Sequence, residues 1–277
     1  MEDNAGKFYL FDGDEHGASA ADWPVPENCT AVYEVIRIIK GVPLFFEDHY
    51  ERLAASFKAL GRSPEIKQDQ LRHDIKKLLN LNDTENCNVK LVVYVNENTQ
   101  KRLLYISKSH YPSEEEIEAG AKTSLLRLER NNPNAKLVNK AYKEAVSMKI
   151  KESGCFEVIL VDSLGRITEG SKSNAFFVQK NKIYTAPGEF VLKGITRKYV
   201  FQACENAGYE VIEQFVHADS VEQSDGVFLS GTSIKVFPVA SIDKIVFNSS
   251  SNPVVTEVRK EYDRIIEKYI DNNVNKW

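Results

Sequence analysis

The 277-residue sequence has no apolar run approaching the roughly 20 residues needed to cross a bilayer, so no membrane span is expected. It also lacks an excess of either charge. Lys plus Arg total 36 against 40 for Asp plus Glu, a formal net charge of −4. A balance this near neutral gives no reason to expect nucleic acid or an anionic membrane as a partner. The four cysteines, Cys29, Cys87, Cys155 and Cys204, are isolated, and none forms a CxxC pair. Disulfide frameworks and zinc sites need closer patterned spacing, so free thiols and no metal centre are expected. The amino terminus, MEDNAGKFYLFDGDEHG, has neither the basic start nor the apolar core of a secretory signal. A reducing cytoplasm is the expected compartment. Internal repeats and low-complexity tracts are absent too.

What is present is an ordinary globular composition, 42% hydrophobic and 27% charged, on a chain long enough for two domains. Ala31 to Ile39 is rich in β-branched residues and reads as a strand, followed by a Gly41-Val42-Pro43 turn. From Glu47 to Leu60 the apolar spacing turns helical, with Gly61 as the stop, and a second amphipathic helix is expected over Gln68 to Leu79. Strands are expected at Val89 to Val95 and Arg102 to Ser107, joined by Asn96-Glu97-Asn98. The acidic Pro112 to Gly120 reads as a domain boundary or a short solvated helix.

Beyond it, a strand near Thr123 to Leu128 and a turn at Pro133 precede a helix from about Val138 to Glu152, closed by Gly154. Further strands are expected at Phe156 to Val161, Asn174 to Gln179, Lys182 to Thr185, Tyr209 to Glu213, Gly226 to Leu229 and Val239 to Ile242. Helices are expected over Thr196 to Ala207 and Val254 to Asn272. The pattern is mixed α/β (α+β), with a smaller N-terminal α/β domain over 1–118 and a larger C-terminal domain over 119–277.

Three segments of the second half carry chemistry. Thr168 to Asn174 (TEGSKSN) packs a carboxylate among small hydroxyl residues between two strands, as a ligand loop or a plain hairpin loop would. Leu192 to Arg197 (LKGITR) brings a glycine to a helix start, where unpaired amides and the helix dipole favour an anion; an ordinary capped start reads the same. Phe228 to Ser233 ends an apolar strand in small hydroxyl residues suited to phosphate oxygens.

With GCFEVIL (Gly154 to Leu160) and SGTSIKVFPV (Ser230 to Val239), these segments stand in an order that resembles the class IV aminotransferases, a family that includes branched-chain and D-amino-acid aminotransferases and aminodeoxychorismate lyases. Upstream, VYEVIRIIKG (Val32 to Gly41) and HYERLAASFKALG (His49 to Gly61) resemble the family's first strand pair and first helix. The likeness runs from about residue 31 to 242.

The resemblance implies a two-domain fold-type IV enzyme that uses pyridoxal 5′-phosphate, works on an amino acid and a 2-oxo acid, and forms a homodimer. It makes Lys136, with an Asn three positions later, the residue that bonds covalently to the cofactor aldehyde and moves protons at the substrate Cα; Lys140 and Lys143 are nearby competitors. Glu169 matches the acid paired with the pyridine nitrogen. Arg52 matches the first-helix arginine for the cofactor phosphate; from spacing alone it would be a surface partner of Asp48. Ile195 and Thr196 match the helix-start phosphate site, and Thr232 with Ser233 the second phosphate loop. Tyr33 and Arg37 occupy strand positions on the substrate side, where packing or surface roles are equally open.

The sequence departs from the family in two places. The region FYLFDGDEHGASAADWPVPENCTA has no clear counterpart, and LVVYVNENTQKRLLYISKSHYP lacks the Arg-Gly of many relatives, with Arg102 the nearest candidate. Transamination is the leading expectation. A pyridoxal-phosphate lyase of the aminodeoxychorismate type, disfavoured by the Tyr33-Glu34 pair, and a cofactor-binding protein without turnover are the alternatives.

Overall fold

The computed structural model describes residues 3–18, 26, 28–130 and 134–277. The turn expected at Pro133 lies outside the described residues. The chain forms two compact units. Unit 1 comprises 1–110, 135–138 and 266–277; unit 2 comprises 111–134 and 139–265.

Unit 1 contains β1 (Phe8–Phe11), β2 (Asp14–Gly17), β3 (Thr30–Ile39), β4 (Val42–Pro43), α1 (Phe46–Ala59), α2 (Gln68–Asn82), β5 (Cys87–Val95) and β6 (Gln100–Ser107). Its strands form one sheet in the order β2-β1-β6-β5-β3-β4. β3 and β5 pair antiparallel along their whole length, from Thr30 opposite Val95 to Ile38 opposite Cys87. Side chains alternate across a strand, so Val32, Glu34, Ile36 and Ile38 are buried while Tyr33, Val35 and Arg37 emerge on the other face. The buried face packs with Leu53 and Phe57 of α1 and Leu71, Ile75 and Leu78 of α2 in one hydrophobic core. The β5–β6 connection is held by Asn96, whose Oδ1 accepts the amides of Asn98 and Thr99. The β1–β2 hairpin and short β4 carried no periodicity long enough to be read from sequence.

Unit 2 begins with α3 (Glu114–Ala119), a solvated helix started by a Ser113–Glu116 capping box; the acidic segment is therefore a helix. Then come β7 (Ala121–Arg127), α4 (Lys140–Ser153), β8 (Glu157–Val161), β9 (Ile167–Gly170), β10 (Asn174–Gln179), β11 (Lys182–Thr185), α5 (Ile195–Asn206), β12 (Glu210–Glu213), β13 (Gly226–Gly231), β14 (Lys235–Ile242), β15 (Ile245–Val246) and α6 (Pro253–Asn273), the last of which extends into unit 1. The sheet order is β12-β11-β10-β13-β14-β7-β8-β9, with β15 paired to β14. α4 is capped by Asn139, whose Oδ1 accepts the Tyr142 amide, and ends at Gly154 in the left-handed region (φ 64°).

One difference from the sequence reading concerns TEGSKSN. Its first three residues complete β9, which pairs with β8 through Gly170 opposite Ile159; only Ser171 to Ser173 form the turn. A pairing partner on a separate upstream strand is invisible to local composition. All four cysteines are free, three of them buried. Burial pushes the Cys87 thiol up to about 11 and the Cys204 thiol to about 12. Among the described residues no helix is long and apolar enough to cross a membrane.

Candidate active site

In unit 1, residues 135–138 lie along the edge of β3. The Tyr33 amide donates to the Lys136 carbonyl (3.0 Å), and the Val138 amide donates to the Ala31 carbonyl (3.0 Å). The Lys136 amide donates to Ser56 Oγ of α1 at 3.3 Å. Lys136 is therefore fixed on both sides by backbone bonds while its Nζ lies 4.7 Å from the Tyr33 ring centroid. The tyrosine ring is an electron-rich surface for a cation.

Arg52 turns inward from α1, its side chain 9% exposed. Its Nε donates to Glu34 Oε1 (2.9 Å) and its Nη2 to Glu34 Oε2 (2.6 Å), a bidentate pair. His49, one turn earlier, places Nδ1 2.7 Å from Glu34 Oε2. Glu34 is only 1% exposed. Burial alone would raise its pKa; the Arg52 charge and hydrogen bonds, with help from His49, reverse this and hold it at about 2. Burial lowers the pKa of His49, against the pull of Glu34, and the charges of Arg52 and Lys136 lower it further. The glutamate thus aims the arginine.

Tyr33 and Arg37 share the face of β3 opposite Glu34. Tyr33 packs with Tyr9, Val92, Tyr94 and Tyr105. Lys90 of β5 brings its Nζ within 5.7 Å of the Tyr33 ring and 5.5 Å of the Tyr105 ring, and pairs with Asp3. Arg37 stands opposite Asn88, half-buried.

In unit 2, Glu169 is 2% exposed, and both of its carboxyl oxygens are hydrogen-bonded. Its Oε1 accepts from Arg130 Nη1 (3.0 Å), and its Oε2 from the Leu192 amide (3.0 Å) and Asn174 Nδ2 (3.4 Å). The Arg130 guanidinium lies 5.0 Å from the Tyr142 ring centroid, and the Tyr142 hydroxyl donates to the Ser171 carbonyl (2.9 Å). Asn174 also donates to the Leu192 carbonyl at 3.0 Å.

Ile195 and Thr196 form the first turn of α5, whose N-cap, Gly194, provides no side-chain acceptor. The first amides of a helix have no intrahelical acceptor, so this turn offers N–H groups to an anion. A Cβ on Gly194 would collide with Asn174 Oδ1. Thr232 and Ser233 follow Gly231 at the end of β13, half-buried. Just before them Ser230 Oγ is buried without a hydrogen-bond partner. An orphaned buried hydroxyl is uncommon in native folds. With the uncapped helix start and the glycine cradle, it fits a phosphorylated ring with polar substituents.

Of the residues expected from sequence, the structure gathers Lys136, Arg52 and Tyr33 around β3 in unit 1, with Arg37 farther along the same strand. It gathers Glu169 with the 192–196 segment in unit 2. The sequence assigns no site role to Glu34, His49, Arg130, Tyr142 and Asn174. Three of these stood inside the quoted motifs, where a polar residue predicted to be buried was the available signal. Arg130 and Tyr142 carried none.

The family model for amino-transferase class IV matches residues 31–242. A D-alanine aminotransferase of Bacillus licheniformis is 29% identical over 237 residues, covering 82% of this chain and 83% of its own. A probable branched-chain-amino-acid aminotransferase of Rickettsia felis is 26% identical, covering 86% and 87%. Among solved structures, the branched-chain amino acid aminotransferase of Thermobaculum terrenum in its PLP form shares the fold with a TM-score of 0.80 at 23% identity, covering 97% of this chain and 96% of its own. The Escherichia coli branched-chain amino acid aminotransferase does so with a TM-score of 0.80 at 22% identity, covering 94% of each. The chain belongs to the class IV aminotransferase family and is a pyridoxal 5′-phosphate-dependent aminotransferase.

Proposed function

We propose that Lys136 is the cofactor lysine and that Glu169 pairs with the pyridine nitrogen. Arg52, Ile195, Thr196, Thr232 and Ser233 hold the phosphate, and Tyr33 and Arg37 border the substrate. The reaction moves an amino group from an amino acid to a 2-oxo acid. Bound pyridoxal phosphate supplies an electron sink for the pair left on the substrate Cα when its proton departs. Lys136 moves that proton, its amine taking it from Cα and delivering it to C4′ of the cofactor. Glu169 keeps the ring nitrogen protonated, which is what makes the sink effective.

The observation that supports this reading best is the environment of Glu169. A carboxyl group buried this deeply is costly unless hydrogen-bond donors meet it, and Arg130, the Leu192 amide and Asn174 do so. A buried anion facing a protonated ring nitrogen suits electron withdrawal. A lyase reaction or a binding role without turnover is not favoured by the relatives found.

The aromatic face around Tyr33 suits an apolar donor side chain, and the relatives named for D-alanine and branched-chain substrates set the panel. A homodimer in the cytoplasm completes the proposal. The test is a panel of L- and D-amino acids with 2-oxoglutarate and pyruvate as acceptors. Amino-acid-dependent formation of pyridoxamine phosphate supports it; a saturated holoenzyme inert to the whole panel, or one releasing pyruvate from aminodeoxychorismate, overturns it.

A further inference from the structure

Glu157 is a buried carboxyl that the reaction as described does not use. It opens β8 and is 4% exposed. Its Oε1 accepts the Lys172 amide at 2.6 Å and the Ser171 hydroxyl at 3.2 Å. The same turn is tied to β8 by the backbone, the Ser171 amide donating to the Val158 carbonyl at 2.9 Å. Across the turn the Tyr142 hydroxyl holds the Ser171 carbonyl. Gly170 has no room for a side chain: a Cβ there would lie 2.8 Å from Glu157 Oε1 and collide with Ser173 Oγ.

We infer that Glu157 is a positioning residue for the cofactor, fixing the Ser171–Ser173 turn and through it the Glu169 carboxylate under the pyridine nitrogen. This rests on the assignment of Glu169 above. The chain of contacts is short. Glu169 is separated from the clamped residues only by Gly170, whose missing Cβ lets the Glu157 carboxyl close against the backbone. Glu169 is the last side chain before the turn, so a slip of the turn rotates the end of β9 and carries its carboxylate off its three donors. Asn174, the residue after the turn, is one of those donors, so the clamp sets both ends of the pairing. A strand partner that served packing alone would be apolar at this depth, as Val158, Ile159 and Leu160 are.

The clamp needs an acceptor and not a charge. Burial raises the Glu157 pKa, opposed by the Lys172 amide and the turn hydroxyls. A glutamine oxygen at the same place would accept the same two bonds. Shortening the side chain by one methylene would withdraw the acceptor from the turn.

The test uses holoenzyme reconstituted with pyridoxal phosphate carrying 15N in the ring, read by NMR at neutral pH, with thermal melting of each apo variant as the control. Wild type and Glu157→Gln should show a protonated ring nitrogen. Glu157→Asp and Glu157→Leu should lose that signal and bind the cofactor about tenfold more weakly, the size of one lost hydrogen bond to a charged group. A protonated nitrogen in Glu157→Leu, or in Glu157→Asp if the leucine variant does not fold, overturns the inference. Loss of the signal in Glu157→Gln overturns the neutral-acceptor role. An unprotonated nitrogen in wild type is a separate failure, that of the Glu169 assignment.

Discussion

Arg130 and Glu169 meet through a 3.0 Å hydrogen bond, Nη1 to Oε1, while the Arg130 guanidinium also stands over the Tyr142 ring. The arginine is held by an aromatic face and a carboxylate together, and its charge and N–H donors distinguish it from an apolar side chain of similar length. Arg130→Met should retain the packing and remove the charge. The expected result is a fall in kcat/KM of about 100-fold, near 3 kcal/mol of transition-state stabilisation, with a smaller change in KM. Steady-state kinetics check it, and an unchanged kcat would remove Arg130 from any role in holding Glu169.

The choice of lysine is testable through Lys136 and Lys140. Lys140 opens α4 with its side chain 92% exposed, whereas Lys136 is anchored to β3 and α1. Lys136→Ala should abolish borohydride fixation of the cofactor and turnover. Lys140→Ala should change neither by more than about twofold, as for an exposed surface substitution. Mass spectrometry of the reduced, digested protein locates the label, and a label on Lys140 would refute the assignment.

Gly194→Ala places a methyl group against Asn174 Oδ1. Either α5 shifts or Asn174 releases the Leu192 carbonyl and Glu169. Overpacking of this kind costs about 1–3 kcal/mol, so pyridoxal phosphate affinity, read by fluorescence titration, should fall roughly 5- to 150-fold. An unaltered affinity would show that the start of α5 takes no part in binding.

The Glu34–His49–Arg52 cluster predicts acid sensitivity in two windows. Glu34 is held at about 2 against an ordinary 4.5. A carboxyl depressed in the folded state stabilises fully above its unfolded pKa, and that stability is lost as pH falls from 4.5 toward 2. The amount is on the order of 3 kcal/mol. His49 is also depressed, from 6.5. The unfolded chain therefore takes a proton that the folded one refuses, and stability begins to fall already below pH 6.5. Urea midpoints between pH 8 and pH 3 should decline in both ranges for wild type. His49→Gln should flatten the upper one; an unflattened profile there counts against the cluster.

Local pattern carried much of the fold. The alternation of β3 is legible because one face is buried against helices and the other is not, and α4 is legible because Asn139 and Gly154 bracket it. Motif order is what nominates Lys136 and Glu169 for the proposed site. Partners remote in sequence were not legible. Nothing near Arg130 says it will meet a carboxylate on β9, and nothing near Glu157 says that its acceptor oxygen will close on the turn that follows β9. These are consequences of strand pairing, which hydrophobic period does not encode. Glu34 shows the limit most clearly, since alternation placed it on the core face but could not supply the Arg52 and His49 that make a buried charge tolerable.

Unit 1 is not contiguous in sequence: after His110 it takes up residues 135–138 and then 266–277. Synthesis from the amino terminus therefore delivers its sheet unfinished. The β3 edge at Ala31 to Tyr33 stays bare until Lys136 to Val138 leave the ribosome and bond to it. An open edge is a template for stray strand pairing. The segment bearing the proposed cofactor lysine thus has a second task, begun before any cofactor arrives, of sealing the nascent domain against association with its neighbours.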